Sequence, residues 1–423
     1  MSSQPPASLL LFLQSAPPRV TLDAFQEDCR LCGMPWYSLP AQRLCVVLFI
    51  ENPLVRKYPP RASNVHAFLK ALITQIEQTR NESKDASQEN GEDTICVELL
   101  EAYIGCAAQM RDGAQQQLCY KTFYTPGAAP SFVSVRLAAG QFSNVGLALW
   151  PAAFVLVQLL DAELSAPSPE LTDGLGETLR LLELGAGVGL TPLLLHHLRP
   201  YNERVSRFVL TDYQQELVEN ISFNLNERGL GLLGSAEDAA QCGRVAVHSA
   251  ELLDWTEHEQ NRAKLSAWRC NVVVAADCVY DIPLIPSLVQ TIRSALELTE
   301  GAVAIVVQTH RQRETMCKFF TAVHEAEMTV QSYYVAAAAD APLLKGSVVH
   351  RFPSHVRTQS RCTDNINSSC DGFVLVRVEG DPTFPLLQRD GGEAAQTTSG
   401  WLGSFFISLE AVVGVHVLRV RSS

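Results

Sequence analysis

"LLELGAGVGLTP", residues 181–192, is the stretch on which the fold turns. An apolar run ends in three glycines at alternate positions, Gly185, Gly187 and Gly189. Glycines directly after a strand let the backbone pass close beneath a nucleotide, because no Cβ stands in the way. The dinucleotide spacing G-x-G-x-x-G would place its third glycine where this chain has Leu190. The spacing here is Glu183-x-Gly185-x-Gly187-x-Gly189. Glu183, just before the turn, is placed to accept a hydrogen bond or to fix the loop.

Working outward, apolar runs alternate with helical patterns. Strands are expected at 179–184, 207–212, 244–249, 271–276, 302–308, 329–335 and 372–378. Helices are expected between most of them, among them "TPLLLHHLRP", "QQELVENISFNLNER" and "IPLIPSLVQTIRSALEL". Continuous apolar strands separated by helices imply a parallel sheet covered on both faces. The last two strands have no helix between them, which suggests a closing antiparallel hairpin. The fold class expected is α/β.

Residues 8–125 read differently. "SLLLFLQ", "TLDAFQEDCRLC", "NVHAFLKALITQIEQTR" and "ICVELLEAYIGCAAQM" repeat apolar residues at three- and four-residue steps, so this part is expected to be mainly helical. The polar stretch 81–93 reads as a mobile loop, and 131–150 as a hairpin leading into a helix that Pro151 opens. Three domains are expected: 1–125 helical, 126–380 α/β, and 381–423 a C-terminal extension. In that extension "WLGSFFISLEAVVGVHVLRV" is long enough for a membrane span, but Glu410 and His416 favour an appended strand pair or a loose tail.

The 423 residues are 47% hydrophobic and 18% charged, ample for packed cores. A net charge of −12 argues against phosphate backbones as the main partner, so no nucleic acid is expected. The N-terminus has no basic segment before its short apolar run, so it does not read as a signal peptide. Twelve irregularly spaced cysteines fit reduced thiols in a cytoplasmic protein. Cys29 and Cys32 form a C-x-x-C, but no second pair follows at ligand spacing, and no metal site is expected.

Three further residues bear on chemistry. Asp212 ends the second strand, 27 positions after Gly185, where an open α/β sheet binds a ribose. It could equally cap the next helix, and NAD enzymes use the same device. Trp255 lies in the loop after the third strand, where its ring would cover an adenine or fill a core. Asp277 emerges at the tip of the fourth strand after the small Ala275 and Ala276, and Tyr280 follows three residues on.

Together these motifs resemble a known family. The E-x-G-x-G-x-G loop is similar to that of the seven-strand, Rossmann-like methyltransferases that use S-adenosylmethionine. "LLELGAGVGLTP", "VLTD", "LLDW" and "AADCVYD" resemble their lysine-specific protein methyltransferases. "FLQ", "PWYSL", "NPLVRKYPP", "FLKALI", "LLEAYIGC" and "CYKTFY" resemble the N-terminal helical domain of the elongation factor 2 lysine methyltransferases. The resemblance spans roughly residues 8–380. It implies cofactor contacts at Trp150, Gly185, Ala186, Gly187, Asp212, Trp255 and Ala276, with Asp277 and Tyr280 at the methyl-transfer site. It implies a protein substrate, translation elongation factor 2, recognised by the helical domain, with neither nucleic acid nor membrane as partner. Two alternatives stay open: another protein or small-molecule acceptor, or a methyltransferase fold that binds without turnover.

Overall fold

The computed structural model describes residues 5–83, 95–111, 118–125, 131–138, 145–165, 178–198, 204–227, 230, 247–337, 347–353, 372–377, 398–402, 405–409 and 411–421. The expected mobile loop at 81–93 lies almost wholly outside them, as does the start of the strand expected at 244–249. Two compact units divide the chain, one drawing on Met1–Tyr124 and Ser134–Ser143, the other on Thr125–Val133 and Asn144–Ser423.

The first unit is mainly helical: α1 (Ala7–Leu13), α2 (Pro18–Leu31), α3 (Leu39–Phe49), α4 (Pro53–Lys57), α5 (Ala62–Ser83) and α6 (Val97–Arg111). Its centre is aromatic. Phe49 meets Phe12 at 4.8 Å, Phe68 at 5.1 Å and Phe25 at 5.7 Å between ring centroids. The proline-bounded "NPLVRKYPP" forms α4, opened by the Asn52 side chain accepting from the Leu54 amide. Cys29 is buried, Cys32 exposed, and both are free thiols.

The hairpin expected over 131–150 forms one strand earlier. β2 (Ser131–Ala138) pairs with β1 (Leu118–Thr125), and residues 145–147 are a 3-10 turn. "LCYKTFYT" alternates as well as 131–138 does, and the buried Thr122 and Ser134 hydroxyls pair across the strands at 2.8 Å.

The second unit is built on a large mixed sheet. Its strands are β3 (Leu179–Leu184), β4 (Val205–Asp212), β5 (Val247–Leu252), β6 (Val272–Ala276), β7 (Val303–Thr309), β8 (Met328–Ala337), β9 (Val348–Pro353), β10 (Gly372–Arg377) and β13 (Val413–Val420). A separate two-stranded sheet joins β11 (Thr398–Leu402) to β12 (Phe405–Leu409). The helices are α7 (Pro151–Ser165), α8 (Leu190–Leu198), α9 (Gln215–Glu227), α10 (His258–Trp268), α11 (Ile285–Leu296) and α12 (Arg313–Glu325). The sheet order is β5-β4-β3-β6-β7-β13-β8-β10-β9, nine described strands where seven were expected.

Strands β5, β4, β3, β6 and β7 run parallel. The chain moves outward one way from β3 through β4 and β5, then resumes beside β3 with β6. Ligands bind at such a reversal, outside the C-terminal ends of the strands. The glycine loop follows β3 and Asp277 follows β6, so the topology brings both to that point.

The C-terminal stretch is not an appended tail. β13 lies between β7 and β8, antiparallel to both, with Gly414 opposite Gln308 and Tyr334, and His416 opposite Val306 and Ser332. The strands expected at 329–335 and 372–378 do pair antiparallel, as β8 and β10, but β9 comes between them in the chain and they lie on the outer side of β13. The cause is burial. Val413, Val415, Val417 and Leu418 are at most 1% exposed, and His416 is fully buried on the other face, so the segment is covered on both faces like an internal strand. Among the described residues no helix is long and apolar enough to cross a membrane.

His416 looks foreign in that segment, yet it is fully buried. Its Nδ1 meets the Ser332 hydroxyl at 2.8 Å, and its Nε2 meets His310 Nε2 at 3.0 Å. Burial lowers the pKa of both rings, His310 to about 4. For a group whose pKa falls on folding, the stabilisation is complete above the unfolded value near 6.5. It is lost as pH drops toward about 4. Side-chain nitrogen NMR at pH 5.5 is therefore expected to show both rings neutral. A ring titrating near 6.5 would place it in water.

Candidate active site

The site is built at the C-terminal ends of β3, β4, β6 and β7. Gly185, Gly187 and Gly189 all have positive φ, +64°, +57° and +74°. The space around the first two is as restrictive as the dihedral. A Cβ at Gly185 would stand 2.7 Å from Cys278 Sγ and 3.4 Å from the Trp255 ring, and one at Gly187 would stand 2.8 Å from the Gly146 carbonyl. Ala186 is buried, and its amide donates to the Thr211 carbonyl at 2.9 Å. The loop is thus stitched to β4.

Asp212 does part of the stitching. One of its oxygens accepts from the Gly187 amide at 2.9 Å and the other from the Tyr213 amide at 2.8 Å. It does not cap α9, whose first turn lies beyond those amides. Each carboxylate oxygen keeps a second acceptor position. Burial raises its pKa, against the pull of the two amides. Glu183 is 3% exposed; its Oε1 accepts from the Thr191 hydroxyl at 2.7 Å, and its Oε2 has no partner among the described residues. Desolvation pushes its carboxyl up to about 8. A buried carboxyl with one orphaned oxygen beside a glycine turn is a place for a polar ligand group.

Trp255 sits half-buried, packed on the hydrophobic core and close to Gly185, so the ring joins the core to the loop. Ala276 ends β6 and is partly exposed, while Ala275 is buried. Asp277 follows in the left-handed region, φ +53°, with its amide donating to Val307. Its carboxylate is held by donors from β7. Oδ1 accepts from the Thr309 amide at 2.8 Å and from Gln308 Nε2 at 3.3 Å, and Oδ2 accepts from the Thr309 hydroxyl at 2.9 Å. Burial raises its pKa, and these donors with the Arg311 charge oppose the rise.

Tyr280 is 54% exposed, at the rim. Partial burial raises its phenol pKa, with Cys278, Tyr213 and Asp212 near enough to add to the shift. Trp150 directly precedes α7. Its Nε1 donates to the Val145 carbonyl at 3.3 Å, and the Arg311 guanidinium lies 5.0 Å from its ring centroid. Arg311 is also 3.7 Å from Asp277 Oδ2.

The structure therefore gathers two groups. Glu183, Gly185, Ala186, Gly187, Asp212 and Trp255 surround the glycine turn, and Trp150, Ala276, Asp277 and Tyr280 surround the tip of β6. Sequence reasoning missed Thr191, Gln308, Thr309 and Arg311. The last three stand in "QTHR", where a long apolar run turns polar, and that switch is the one signal that marks them.

Residues 133–326 match the lysine methyltransferase family. The matched stretch, somewhat under half of the chain, is a lysine methyltransferase domain. Among curated relatives, the protein-lysine N-methyltransferase EFM3 of Chaetomium thermophilum is 29% identical over 250 residues, 56% of this chain and 68% of that one. The human protein-lysine N-methyltransferase EEF2KMT is 27% identical over 307 residues, 69% of this chain and 82% of that one. A human putative protein N-methyltransferase, FAM86B2, is 26% identical over 304 residues, 69% of this chain and 82% of that one. The matched residues include both groups.

Proposed function

We propose that the protein transfers methyl groups from S-adenosylmethionine to a lysine of translation elongation factor 2 in the cytoplasm. The observation that carries the reaction is the glycine turn bonded to Asp212 beside the Asp277 tip. It supports an adenosine-bearing donor: Asp212 keeps acceptor positions for two ribose hydroxyls, the orphaned Glu183 oxygen offers a polar contact, and Trp255 gives an aromatic face for adenine. Gly185, Ala186, Gly187 and Ala276 keep the floor small, and Trp150 closes one side. The bound donor supplies an activated methyl group on a sulfonium.

The chain's task is then to align and dry the acceptor. A free lysine has a pKa near 10.4, so presenting it neutral at pH 7 costs about 4–5 kcal/mol. Desolvation beside a cationic sulfonium lowers that cost. Asp277 orients groups at the transfer point, and Tyr280 offers a ring face to the cationic amine from the rim.

The acceptor is supported by the resemblance of the N-terminal segments to the elongation factor 2 lysine methyltransferases and by the human relative, 27% identical over 307 residues. The helical unit is accordingly the platform for the elongation factor, and Arg56, 65% exposed on α4, is a docking candidate beside Lys57.

The test is direct. Purified elongation factor 2 incubated with the enzyme and S-adenosylmethionine should gain methyl groups on one lysine by mass spectrometry, and Arg56→Glu with Lys57→Glu should slow that transfer. Donor binding without modification would point to another acceptor, and no donor binding would leave a non-catalytic module. Asp212→Ala is expected to weaken donor binding by about 2–4 kcal/mol in calorimetry, since two charge-assisted hydrogen bonds are lost. An unchanged affinity would confine Asp212 to holding the loop.

A further inference from the structure

We propose that Arg311 is the carboxylate anchor of this site, its guanidinium binding the α-carboxylate of the methyl donor or an acidic side chain beside the acceptor lysine. The proposal rests on the donor and reaction inferred above. Arg311 leaves the end of β7 two residues after Thr309, and its direction is set from both sides. The Trp150 ring lies 5.0 Å from the guanidinium, which holds its plane. His310, just before it, is tied by its amide to the Val412 carbonyl at 2.8 Å and by its ring to His416.

The guanidinium is not consumed by the protein. It makes no hydrogen bond among the described residues, and its nearest carboxylate oxygen, Asp277 Oδ2, is 3.7 Å away. That oxygen already accepts from the Thr309 hydroxyl. The Arg311 side chain is 44% exposed, so its fork of donors opens to whatever enters.

Charge narrows the occupant. A methyl-donor sulfonium and a lysine ammonium are both cations, and a fixed guanidinium repels each of them. Asp277, 3.7 Å away, offsets part of that charge, and an anion arriving with one of the two would offset the rest. A carboxylate matches the fork in a bidentate way. The donor brings one on its own amino-acid end, and a protein acceptor brings one only if an aspartate or glutamate flanks its lysine.

The experiment uses the full chain as wild type, Arg311→Gln and Arg311→Lys. Calorimetry measures S-adenosylmethionine, S-adenosylhomocysteine and decarboxylated S-adenosylmethionine, and steady-state kinetics measure elongation factor 2. If the anchor holds the donor, Arg311→Gln weakens S-adenosylmethionine and S-adenosylhomocysteine by about 10- to 100-fold and leaves the decarboxylated donor unchanged. Wild type then prefers the carboxylated donor by the same factor, and Arg311→Lys recovers part of it. If the anchor holds the acceptor, donor affinities stay within twofold, and KM for the elongation factor rises by about 10- to 100-fold at constant kcat. Unchanged donor affinities together with an unchanged KM overturn the proposal. Should Arg311→Gln not fold, the wild-type preference between the two donors and the Arg311→Lys kinetics decide. Wild type binding neither S-adenosylmethionine nor S-adenosylhomocysteine would remove the reading beneath the proposal, and the proposal with it.

Discussion

A chain ended at residue 397 is expected to yield no folded catalytic unit. From the sequence, deleting 381–423 should leave the sheet complete; the position of β13 reverses that expectation. Its loss would strip partners from β7 and β8 at once and expose two inner strand edges. It would also remove Val413, Val415, Val417 and Leu418, all at most 1% exposed. At about 1.5–3 kcal/mol for each buried apolar side chain, the loss is roughly 6–12 kcal/mol. A whole domain has only about 5–15 kcal/mol to lose. Far-UV circular dichroism and S-adenosylmethionine binding of the truncated chain check this. A truncated protein that melts and binds like wild type would show that β13 is dispensable. Within the strand, the most sensitive position is Gly414, where an added Cβ would stand 2.5 Å from His310 Nε2 and 2.7 Å from His416 Nε2.

Asp277→Ala is expected to cost about 3–5 kcal/mol of stability and to abolish methylation. The carboxylate is the common acceptor for the Thr309 amide, the Thr309 hydroxyl and Gln308. Alanine leaves those donors buried and unpaired, at about 1–3 kcal/mol for each unsatisfied group. It must also keep φ near +53°, which aspartate tolerates better than alanine. Asp277→Asn keeps the shape and turns one acceptor into a donor, so it should fall between the two. Urea unfolding, read beside donor binding and methyl transfer, separates the roles. Wild-type stability with normal donor binding and no transfer would make Asp277 a purely chemical residue. Wild-type behaviour on all three would deny it both roles.

The parallel half of the sheet was legible in the sequence because each strand there is covered on both faces. "LRLLEL", "RFVLTD", "NVVVAA" and "AVAIVVQ" are mostly apolar for that reason, and they match β3, β4, β6 and β7 to within two residues at either end. The glycine turn was legible too, because positive φ is a local demand that glycine meets within a few residues. The same holds for the placement of Asp212 and Asp277, since each merely ends a recognisable strand.

Other features depend on pairings across long stretches of chain. Nothing near 413–420 indicates that it pairs with 303–309 and 328–337, and a buried histidine argues against a strand until His310 and Ser332 are seen beside it. Asp277 reads alone as an acid at a strand tip, whereas Gln308 and Thr309, from the neighbouring strand β7, take up its carboxylate. Arg311 reads as a surface charge until Trp150, more than 150 positions earlier, supplies the ring beneath it. Local backbone geometry and two-sided burial leave their mark on neighbouring residues, so the sequence alone determined the parallel strands and the glycine turn. A hydrogen bond or stacking partner brought by a distant strand leaves no such mark, so the sheet's closing strand and the site's supporting residues were decided only by the tertiary structure.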